Sequence, residues 1–214
     1  MATIAVIDYG MGNLHSVARA LNHVAPHTRI VVTQDAEIIL KADRVVFPGQ
    51  GAIRDCMQEL QRHGLIDVVR EAARNRPFLG LCLGPQALLT ASEENGGVNG
   101  LNILPGQSRW FGHRLRSAPL ATQHLKIPHM GWNRVHQIAP HLLWEGIPQD
   151  SRFYFVHSYY LLPDEAQLTF GLTDYGFDFT SVMAKDNLFA VQFHPEKSAA
   201  AGLQLLANFS RWQP

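Results

Sequence analysis

The sequence predicts an α/β fold: an open, mostly parallel twisted sheet flanked by helices, with additional antiparallel strands in the C-terminal half. Two observations predict it. Short β-rich runs alternate with helical spacings over the first 90 or so residues, which is typical of a parallel sheet with helices on both faces. After a turn-rich break, NGGVNG at 95–100, the pattern changes to a succession of short strands.

In chain order, each element has its own signal. The predicted strands of the first half are TIAVIDYG (3–10), TRIVVT (28–33), RVVFPG (44–49) and RPFLGL (76–81), and the predicted helices cover 13–24, about 52–74, and 84–91. The second half is predicted to contain strands in RFYFVHSYYLL (152–162), QLTFGLT (167–173), DFTSVMA (178–184) and NLFAVQF (187–193), and a final helix over about 199–212.

Length and composition favour one globular domain covering residues 1–214, since no repeat, low-complexity tract or long linker divides the chain. Lys+Arg and Asp+Glu number 18 each, so nothing in the charge suggests a nucleic acid or membrane partner. With two cysteines, no signal-peptide pattern and no apolar run of about 18 residues, we expect a cytoplasmic protein with reduced thiols.

The stretch GLCLG places the thiol of Cys82 between Gly80 and Gly84, after a predicted strand and before a helical run. This resembles the strained strand-to-helix turn that presents a nucleophile in hydrolases, where a helix N-terminus also favours the thiolate. Pro85 fits the first helical turn, because its missing N–H would have no acceptor there. The alternative is a buried structural cysteine, which is common.

The stretch FAVQFHPEKS leads a strand into His194 and Glu196. If the strand continued through Pro195, alternation would place both side chains on one face. The carboxylate could then orient the imidazole so that its other nitrogen exchanges a proton with the thiol. The chain has 11 histidines, so this interpretation depends on the presence of a candidate nucleophile.

A third candidate is FPGQGA, at 47–52, a glycine-rich turn at the end of a predicted parallel strand. Ligands bind at the carboxyl ends of such strands, and the turn could aim backbone N–H groups at an oxyanion. A plain turn is an equally good interpretation of this stretch by itself. We expect neither metal nor cofactor: DYGMGNLHS lacks the third glycine of a dinucleotide fingerprint, and Pro26 separates His23 from His27.

Taken together, these stretches resemble the class I (triad) glutamine amidotransferases and, more narrowly, the glutaminase subunits of imidazole glycerol phosphate synthase. The segments GMGNLHSV, FPGQGA, GLCLGPQ, PHMGWNRV, YFVHSYY and VQFHPEKS follow that family's order, and the resemblance extends over nearly the whole chain. The resemblance implies hydrolysis of L-glutamine to glutamate and ammonia. It also implies delivery of the ammonia to a (β/α)8-barrel cyclase partner, which makes imidazole glycerol phosphate and AICAR in histidine biosynthesis.

The resemblance also implies roles for single residues. Cys82 would be the nucleophile, His194 the general base and acid, and Glu196 its orienting carboxylate. The remaining implied residues are Gly49, Gln50 and Leu83 for the backbone oxyanion hole, Gln86, His157 and Ser158 for substrate binding, and Asn13, Met130, Trp132 and Lys197 for the partner interface.

The chain departs from the family pattern in three places. Pro85 replaces a usual methionine, Gln50 replaces a usual valine at the oxyanion turn, and the segment 106–124 is long. Two other functions therefore remain open: a freestanding Cys–His hydrolase of γ-glutamyl or peptide substrates, and a non-catalytic binding paralogue. A nucleotide-binding oxidoreductase is disfavoured by the incomplete glycine fingerprint.

Overall fold

The structure is a computed structural model that describes residues 1–117 and 125–214. Its first-half elements are β1 (Thr3–Ile7), α1 (Leu14–Val24), β2 (Arg29–Thr33), α2 (Ala36–Lys41), β3 (Arg44–Gly49), α3 (Ile53–Arg62), α4 (Ile66–Asn75), β4 (Phe78–Cys82), α5 (Leu83–Leu88), β5 (Leu89–Ser92) and β6 (Val98–Asn99). They are followed by β7 (Leu104–Trp110), α6 (Phe111–Leu115), β8 (His129–Arg134), β9 (His136–Gln137), β10 (Arg152–His157), β11 (Tyr159–Pro163), β12 (Thr169–Asp174), β13 (Asp178–Lys185), β14 (Leu188–Val191) and α7 (Ala199–Arg211).

The main sheet has the strand order β2-β1-β3-β4-β14-β13-β11-β7-β5-β6; off this path, β12 pairs with β13 and β9 pairs with β12. Neighbouring strands from β2 to β14 are parallel. The pairings of β13 with β14, β11 and β12 are antiparallel. Strands β8 and β10 form a separate antiparallel ribbon. The predicted fold class, a parallel sheet extended by antiparallel strands from the C-terminal half, is therefore confirmed.

Helices cover both faces of the parallel part. On β1, Ile4 and Val6 pack into a core that α1 and α7 cover with Leu21 and Phe209. The alternate residues Ala5 and Ile7 face the opposite core, which α2, α3 and α4 cover. Because side chains alternate across a strand, a continuous apolar run such as TIAVI supplies both cores at once.

The topology brings the carboxyl ends of β3, β4 and β14 to one edge of the sheet. Gly49 at the end of β3 lies in register with Cys82 at the end of β4, and β14 runs parallel beside β4. The glycine-rich turn, the cysteine and the segment carrying His194 therefore meet where ligands of open α/β sheets bind.

One predicted helix is in fact two. The expectation of a helix over about 52–74 is corrected, because α3 ends at Arg62 and α4 begins at Ile66. Gly64 adopts φ 67°, a left-handed conformation that glycine tolerates best. Its N–H donates to Gln61 O at 3.1 Å, and Leu65 N–H donates to Leu60 O at 2.8 Å, which closes the helix.

A second correction concerns the predicted helix over 84–91. Helix α5 ends at Leu88, and the chain continues directly as strand β5. The last carbonyls of α5 accept hydrogen bonds from a distant segment: Leu101 N–H bonds to Ala87 O at 2.7 Å, and Ile103 N–H to Leu88 O at 2.9 Å. Tertiary pairing thus outweighs the helical preference of this apolar stretch.

The run RFYFVHSYYLL is divided into β10 and β11 at Ser158, and the two strands join different sheets. The sequence patterns missed α2, α6 and strands β5 to β9. In the long segment 106–124, the first part belongs to β7 and α6, whereas 118–124 lie outside the described residues. Within the described ranges, no helix is long and apolar enough to span a membrane.

Candidate active site

Cys82 stands at the turn between β4 and α5 with φ 56° and ψ −90°, a conformation that residues with side chains avoid. The turn can be this tight because Gly84 has no side chain: a Cβ built there would lie 2.4 Å from Phe47 O. All residues from 81 to 89 are buried. The predicted nucleophile turn is therefore present, and Pro85 lies in the first turn of α5 as expected.

His194 and Glu196 form a buried pair beside this turn. Nδ1 of His194 lies 2.8 Å from Oε1 of Glu196, and the two side chains are 7% and 2% exposed. The expectation that strand alternation pairs them is wrong: β14 ends at Val191, and Pro195–Lys197 form a 3-10 turn instead of continuing the strand. It is this turn that brings the carboxylate back to the imidazole.

Backbone contacts fix the position of His194. Its N–H donates to Tyr154 O at 2.9 Å, and the hydroxyl of Ser198 donates to its carbonyl. Ser198 in turn accepts a 3.0 Å bond from the N–H of Tyr154. The histidine is thus tied to β10 as well as to its own turn, and its imidazole is held against Glu196.

The electrostatics favour a charged imidazole. Burial lowers the pKa of His194, but the nearby Cys82 and the bonded Glu196 more than offset burial, so the pKa is raised. Nε2 of His194 is buried and has no hydrogen-bond partner within the described residues. The hydrogen bond between Nδ1 and the Glu196 carboxylate is the contact with His194 that stabilises the charged imidazole in this geometry. Nε2 is left available to exchange a proton with the thiol or a ligand.

The glycine-rich turn after β3 forms another wall. The hydroxyl of Tyr9 donates to Pro48 O at 3.0 Å, and a Cβ on Gly49 would lie 2.5 Å from that same hydroxyl. Beyond this anchored point Gln50 and Gly51 are exposed, and Gly51 adopts φ 89°. The turn is thus held at its start and open to solvent at its tip.

These elements enclose a cavity of about 470 Å³. The predicted residues that line it are Cys82, His194, Gln50, Leu83, Gln86, His157, Ser158 and Lys197. Glu196 lies behind His194, and Gly49 adjoins Leu83 from the neighbouring strand, where a Cβ on it would come within 2.9 Å of Leu83 Cβ. The volume suits a ligand the size of one amino acid.

Gln86 is held by two acceptors. Its Nε2 donates to Gln192 Oε1 at 3.2 Å and to Tyr159 O at 3.5 Å. The amide nitrogen is thus turned toward the protein. Since the side chain lines the cavity, its oxygen is the atom left to meet a donor on a ligand.

Both ring nitrogens of His157 make hydrogen bonds within the protein. Its Nδ1–H donates to Tyr159 O at 2.8 Å, so its Nε2 accepts from His129 Nδ1 at 2.9 Å. Burial lowers the pKa of His129 to about 4, and burial together with the neighbouring His129 lowers the pKa of His157 to about 3. Both rings are neutral at pH 7, and His157 contributes shape to the cavity instead of a free ring nitrogen.

Two cavity residues were not predicted from the sequence. Glu94 lines the cavity and accepts a bond from Ile53 N–H at 3.0 Å. Tyr159 closes another side and supplies the carbonyl that holds Gln86 and His157. Glu94 lies outside every quoted motif, whereas Tyr159 belongs to YFVHSYY, where only His157 and Ser158 were assigned a role; the turn after β5 and the break at Ser158 bring the two residues here. A carboxylate within an otherwise motif-free turn, SEEN, was the one available hint.

The residues predicted to face a partner lie in different settings. Met130 is 61% exposed and Trp132 48% exposed on one face of β8, and Lys197 is exposed at the cavity. Asn13 caps α1, with its side chain accepting from Ser16 N–H at 3.4 Å. Two large apolar side chains on one face of a two-stranded ribbon are typical of a surface that another protein covers.

Both cysteines are free thiols. Among residues 1–117 and 125–214, no group of three or more His, Cys, Asp or Glu side chains is arranged to hold a metal ion. The groups that the cavity presents are the thiol of Cys82 and the imidazole of His194, with the carboxylate of Glu196 bonded behind the imidazole.

Comparison with known proteins agrees with this geometry. Residues 5–211 match the family model of glutamine amidotransferase class-I. The chain is 58% identical over 214 residues to imidazole glycerol phosphate synthase subunit HisH of Nitrosospira multiformis, covering 100% of both chains. It is 57% identical to subunit HisH 1 of Pseudomonas aeruginosa, covering 99% of this chain and 98% of that one.

Solved structures of lower identity share the fold. A glutamine amidotransferase crystal structure gives a TM-score of 0.69 at 14% identity, with 96% of this chain and 98% of that chain covered. A glutamine amidotransferase from Thermotoga maritima gives a TM-score of 0.58 at 15% identity, with 94% and 78% covered. The chain belongs to the class I glutamine amidotransferase family and, within it, to the family of imidazole glycerol phosphate synthase subunit HisH.

Proposed function

We propose that the chain is the glutaminase subunit of imidazole glycerol phosphate synthase: it hydrolyses L-glutamine to glutamate and ammonia and passes the ammonia to a (β/α)8-barrel cyclase partner. The observation that carries the proposal is the buried His194–Glu196 pair sharing one cavity with Cys82 at a strained turn. The cyclase would use the ammonia to form imidazole glycerol phosphate and AICAR in histidine biosynthesis.

In the first half-reaction, the Cys82 thiolate attacks the γ-carbonyl carbon of glutamine, and the carbonyl oxygen becomes an oxyanion. The N–H groups of Leu83 and of the Gly49–Gln50 segment stabilise that charge. His194 donates its Nε2 proton to the leaving nitrogen, so that the carbon–nitrogen bond breaks and ammonia leaves. The product is a γ-glutamyl thioester on Cys82.

In the second half-reaction, neutral His194 takes a proton from water through Nε2, and the hydroxide attacks the thioester. The carbon–sulfur bond breaks, glutamate leaves, and the thiolate–imidazolium pair is restored. Glu196 keeps Nδ1 protonated throughout and so presents Nε2 to the reacting atoms.

Charge complementarity supports glutamine as the substrate. The amino acid carries an α-ammonium group, and Glu94 supplies a carboxylate in the cavity wall. Gln86 offers its amide oxygen, and Ser158 lines the same wall. We assign Glu94 to the α-ammonium group of the substrate and Gln86 to one of its polar hydrogens.

The proposed partner face is the outer side of the β8–β10 ribbon, together with Asn13 at the start of α1 and Lys197 at the cavity. Met130 and Trp132 give this face an apolar centre, which is typical of an interface core. Val156, which lies opposite Met130 in the ribbon, also lines the cavity, so this face borders the cavity wall. Ammonia released there would reach the partner without crossing bulk water.

The test uses the complex reconstituted with the cyclase, fed first with glutamine and then with an ammonium salt at a pH that supplies free NH3. Cys82→Ser is expected to abolish glutamine-dependent synthesis of imidazole glycerol phosphate and to leave ammonium-dependent synthesis intact. Cys56→Ser makes the same exchange at the other buried cysteine, which lies outside the cavity, and keeps a donor for the Tyr9 hydroxyl; it is the matched control and is expected to retain both activities.

Two results would contradict the proposal. If Cys82→Ser retained glutamine-dependent synthesis, Cys82 would not be the nucleophile. If ammonium failed to support synthesis even by the wild-type complex, the assigned partner and its reaction would be wrong, whatever Cys82 does.

A further inference from the structure

We propose that Gln192 is a positioning residue that holds the Cys82–Leu83 peptide in the orientation needed to stabilise the oxyanion. This inference rests on the proposed glutaminase function and extends it to a residue outside the cavity. Gln192 is 0% exposed and lies two residues before His194. Its Nε2 donates to Cys82 O at 2.9 Å, and its Oε1 accepts from Gln86 Nε2 at 3.2 Å.

The mechanism depends on the planarity of the peptide bond. The carbonyl of Cys82 and the N–H of Leu83 belong to one trans peptide unit, and they point in opposite directions. A hydrogen bond that fixes the carbonyl oxygen therefore also fixes the direction of the N–H. Gln192 holds this unit from behind, so that the Leu83 N–H remains aimed at the cavity, which Leu83 lines.

Such an anchor is needed at this position. Cys82 adopts φ 56° and ψ −90°, and backbone in sparsely populated regions persists only when its surroundings fix it. Gln192 is itself fixed, because its own N–H donates to Ser181 O at 2.9 Å across the β13–β14 edge. The bond also polarises the amide, since chained hydrogen bonds strengthen one another in a buried site.

The same side chain also positions Gln86. With Nε2 bonded to Cys82 O, the oxygen of Gln192 faces Gln86 and orients its amide toward the cavity. One buried amide thus links the nucleophile turn to a proposed substrate contact. Only a side chain that carries a donor and an acceptor at this length serves both partners, which is a property of glutamine.

Two substitutions separate these roles. Gln192→Glu keeps an acceptor for Gln86 but replaces the donor to Cys82 O by a carboxylate oxygen. Gln192→Met has similar length and makes neither bond. The matched control is Asn208→Leu, because Asn208 is another buried amide that donates to two carbonyls, Leu143 O at 3.0 Å and Glu145 O at 2.7 Å, away from the cavity.

The measurements are made on the complex with its cyclase and ligand. Loss of one oxyanion donor costs about 10²–10³ in rate, so a misdirected donor is expected to lower kcat for glutamine by about 10–10²-fold in both Gln192 variants. Binding of glutamate γ-semialdehyde, whose thiohemiacetal carries the oxyanion, should weaken by a similar factor. Gln192→Met should also raise KM, whereas Gln192→Glu should change KM little.

Alkylation of Cys82 by iodoacetamide forms no oxyanion, and its rate should stay within about threefold of wild type in every variant. Ammonium-dependent synthesis should also persist. Unchanged kcat in Gln192→Met would overturn the proposal, and so would alkylation that falls in parallel with kcat, since the turn itself would then be lost. Absence of glutamine-dependent turnover in the wild-type complex would instead contradict the proposed function.

Discussion

The two turns that lie side by side at the cavity differ in how they are held in place. The nucleophile turn, Leu81–Gly84, is buried throughout, and Gln192 bonds to it from behind. The glycine turn, Pro48–Gly51, is held at its start by the pairing of Pro48 and Gly49 with β4 and by the Tyr9 hydroxyl, and its tip is exposed. Although strand register makes Gly49 and Cys82 direct neighbours, one turn is set by the fold, whereas the other is free to respond to a ligand or a partner.

The difference has a functional meaning within the proposed reaction. Thiolate formation and proton transfer need groups that the isolated chain already places, namely Cys82 and the His194–Glu196 pair. Oxyanion stabilisation also needs the Gly49–Gln50 segment, which is the less constrained part. A protein made in this way would hold its nucleophile ready while its rate depends on a partner that orders the glycine turn.

The largest loss of activity is expected from a substitution in the buried His194–Glu196 pair beside the nucleophile turn. Glu196→Gln keeps the shape of the pair but removes the charge that orients His194, and the analogous change in a serine triad lowers kcat by about 10⁴. We expect a loss of about 10³–10⁴ in glutamine-dependent kcat of the complex, with activity still above that of Cys82→Ser. Steady-state kinetics measures this.

The exposed Glu165→Gln, outside the cavity, serves as the control for that substitution and should behave as wild type. A Glu196→Gln complex with full activity would show that the carboxylate does not act through His194.

A smaller loss of activity is expected when the exposed glycine turn is not ordered by the partner. Without the cyclase and its ligand, the chain should hydrolyse glutamine about 10²–10³-fold more slowly than in the complex, because one oxyanion donor is not in place. A dehydrogenase-coupled glutamate assay measures the ratio. Iodoacetamide should meanwhile alkylate Cys82 at similar rates in both states. Equal turnover with and without the partner would favour a freestanding hydrolase.

An alanine substitution should lower the free energy of unfolding more in the nucleophile turn than in the glycine turn. Gly84→Ala places a Cβ 2.4 Å from the backbone oxygen of Phe47, which cannot move aside, so we expect a loss of about 3 kcal/mol. Gly51→Ala meets only the flexible end of Met11 at 3.1 Å and carries the strain of φ 89°, for a loss of about 1 kcal/mol.

Thermal unfolding tests this pair of substitutions, since each kcal/mol corresponds to about 2–4 °C in a chain of this length. An equal drop in Tm for both alanine variants would contradict the assignment of one turn as rigid and the other as open.

The smallest effect is expected at Pro85. It lies in the first turn of α5, where an N–H would have no intrahelical acceptor, so Pro85→Met restores no hydrogen bond. We expect the Tm to stay within a few degrees of wild type, measured by calorimetry. A large gain in stability would show that the proline strains the nucleophile turn.

Several features of the protein could be predicted from local sequence. The parallel strands and the turn at Cys82 follow from apolar runs, glycines and a proline whose preferences act within a few residues. The family and the candidate triad were also readable, because Cys82, His194 and Glu196 stand in short motifs. The error at Pro195 was local too: His194 and Glu196 do pair, but through a 3-10 turn and not along a strand.

What only the tertiary structure decided is which distant groups hold these local features in place. Helix α5 ends where residues 101–103 bond to its carbonyls, and Glu94, Tyr159 and Gln192 reach the site from three separate elements. The bond from Gln192 to Cys82 spans 110 residues of sequence. A buried side-chain amide is expected to make hydrogen bonds. The residues next to Gln192 in the sequence do not indicate its partners, because it is the sheet topology that brings Cys82 and Gln86 to it.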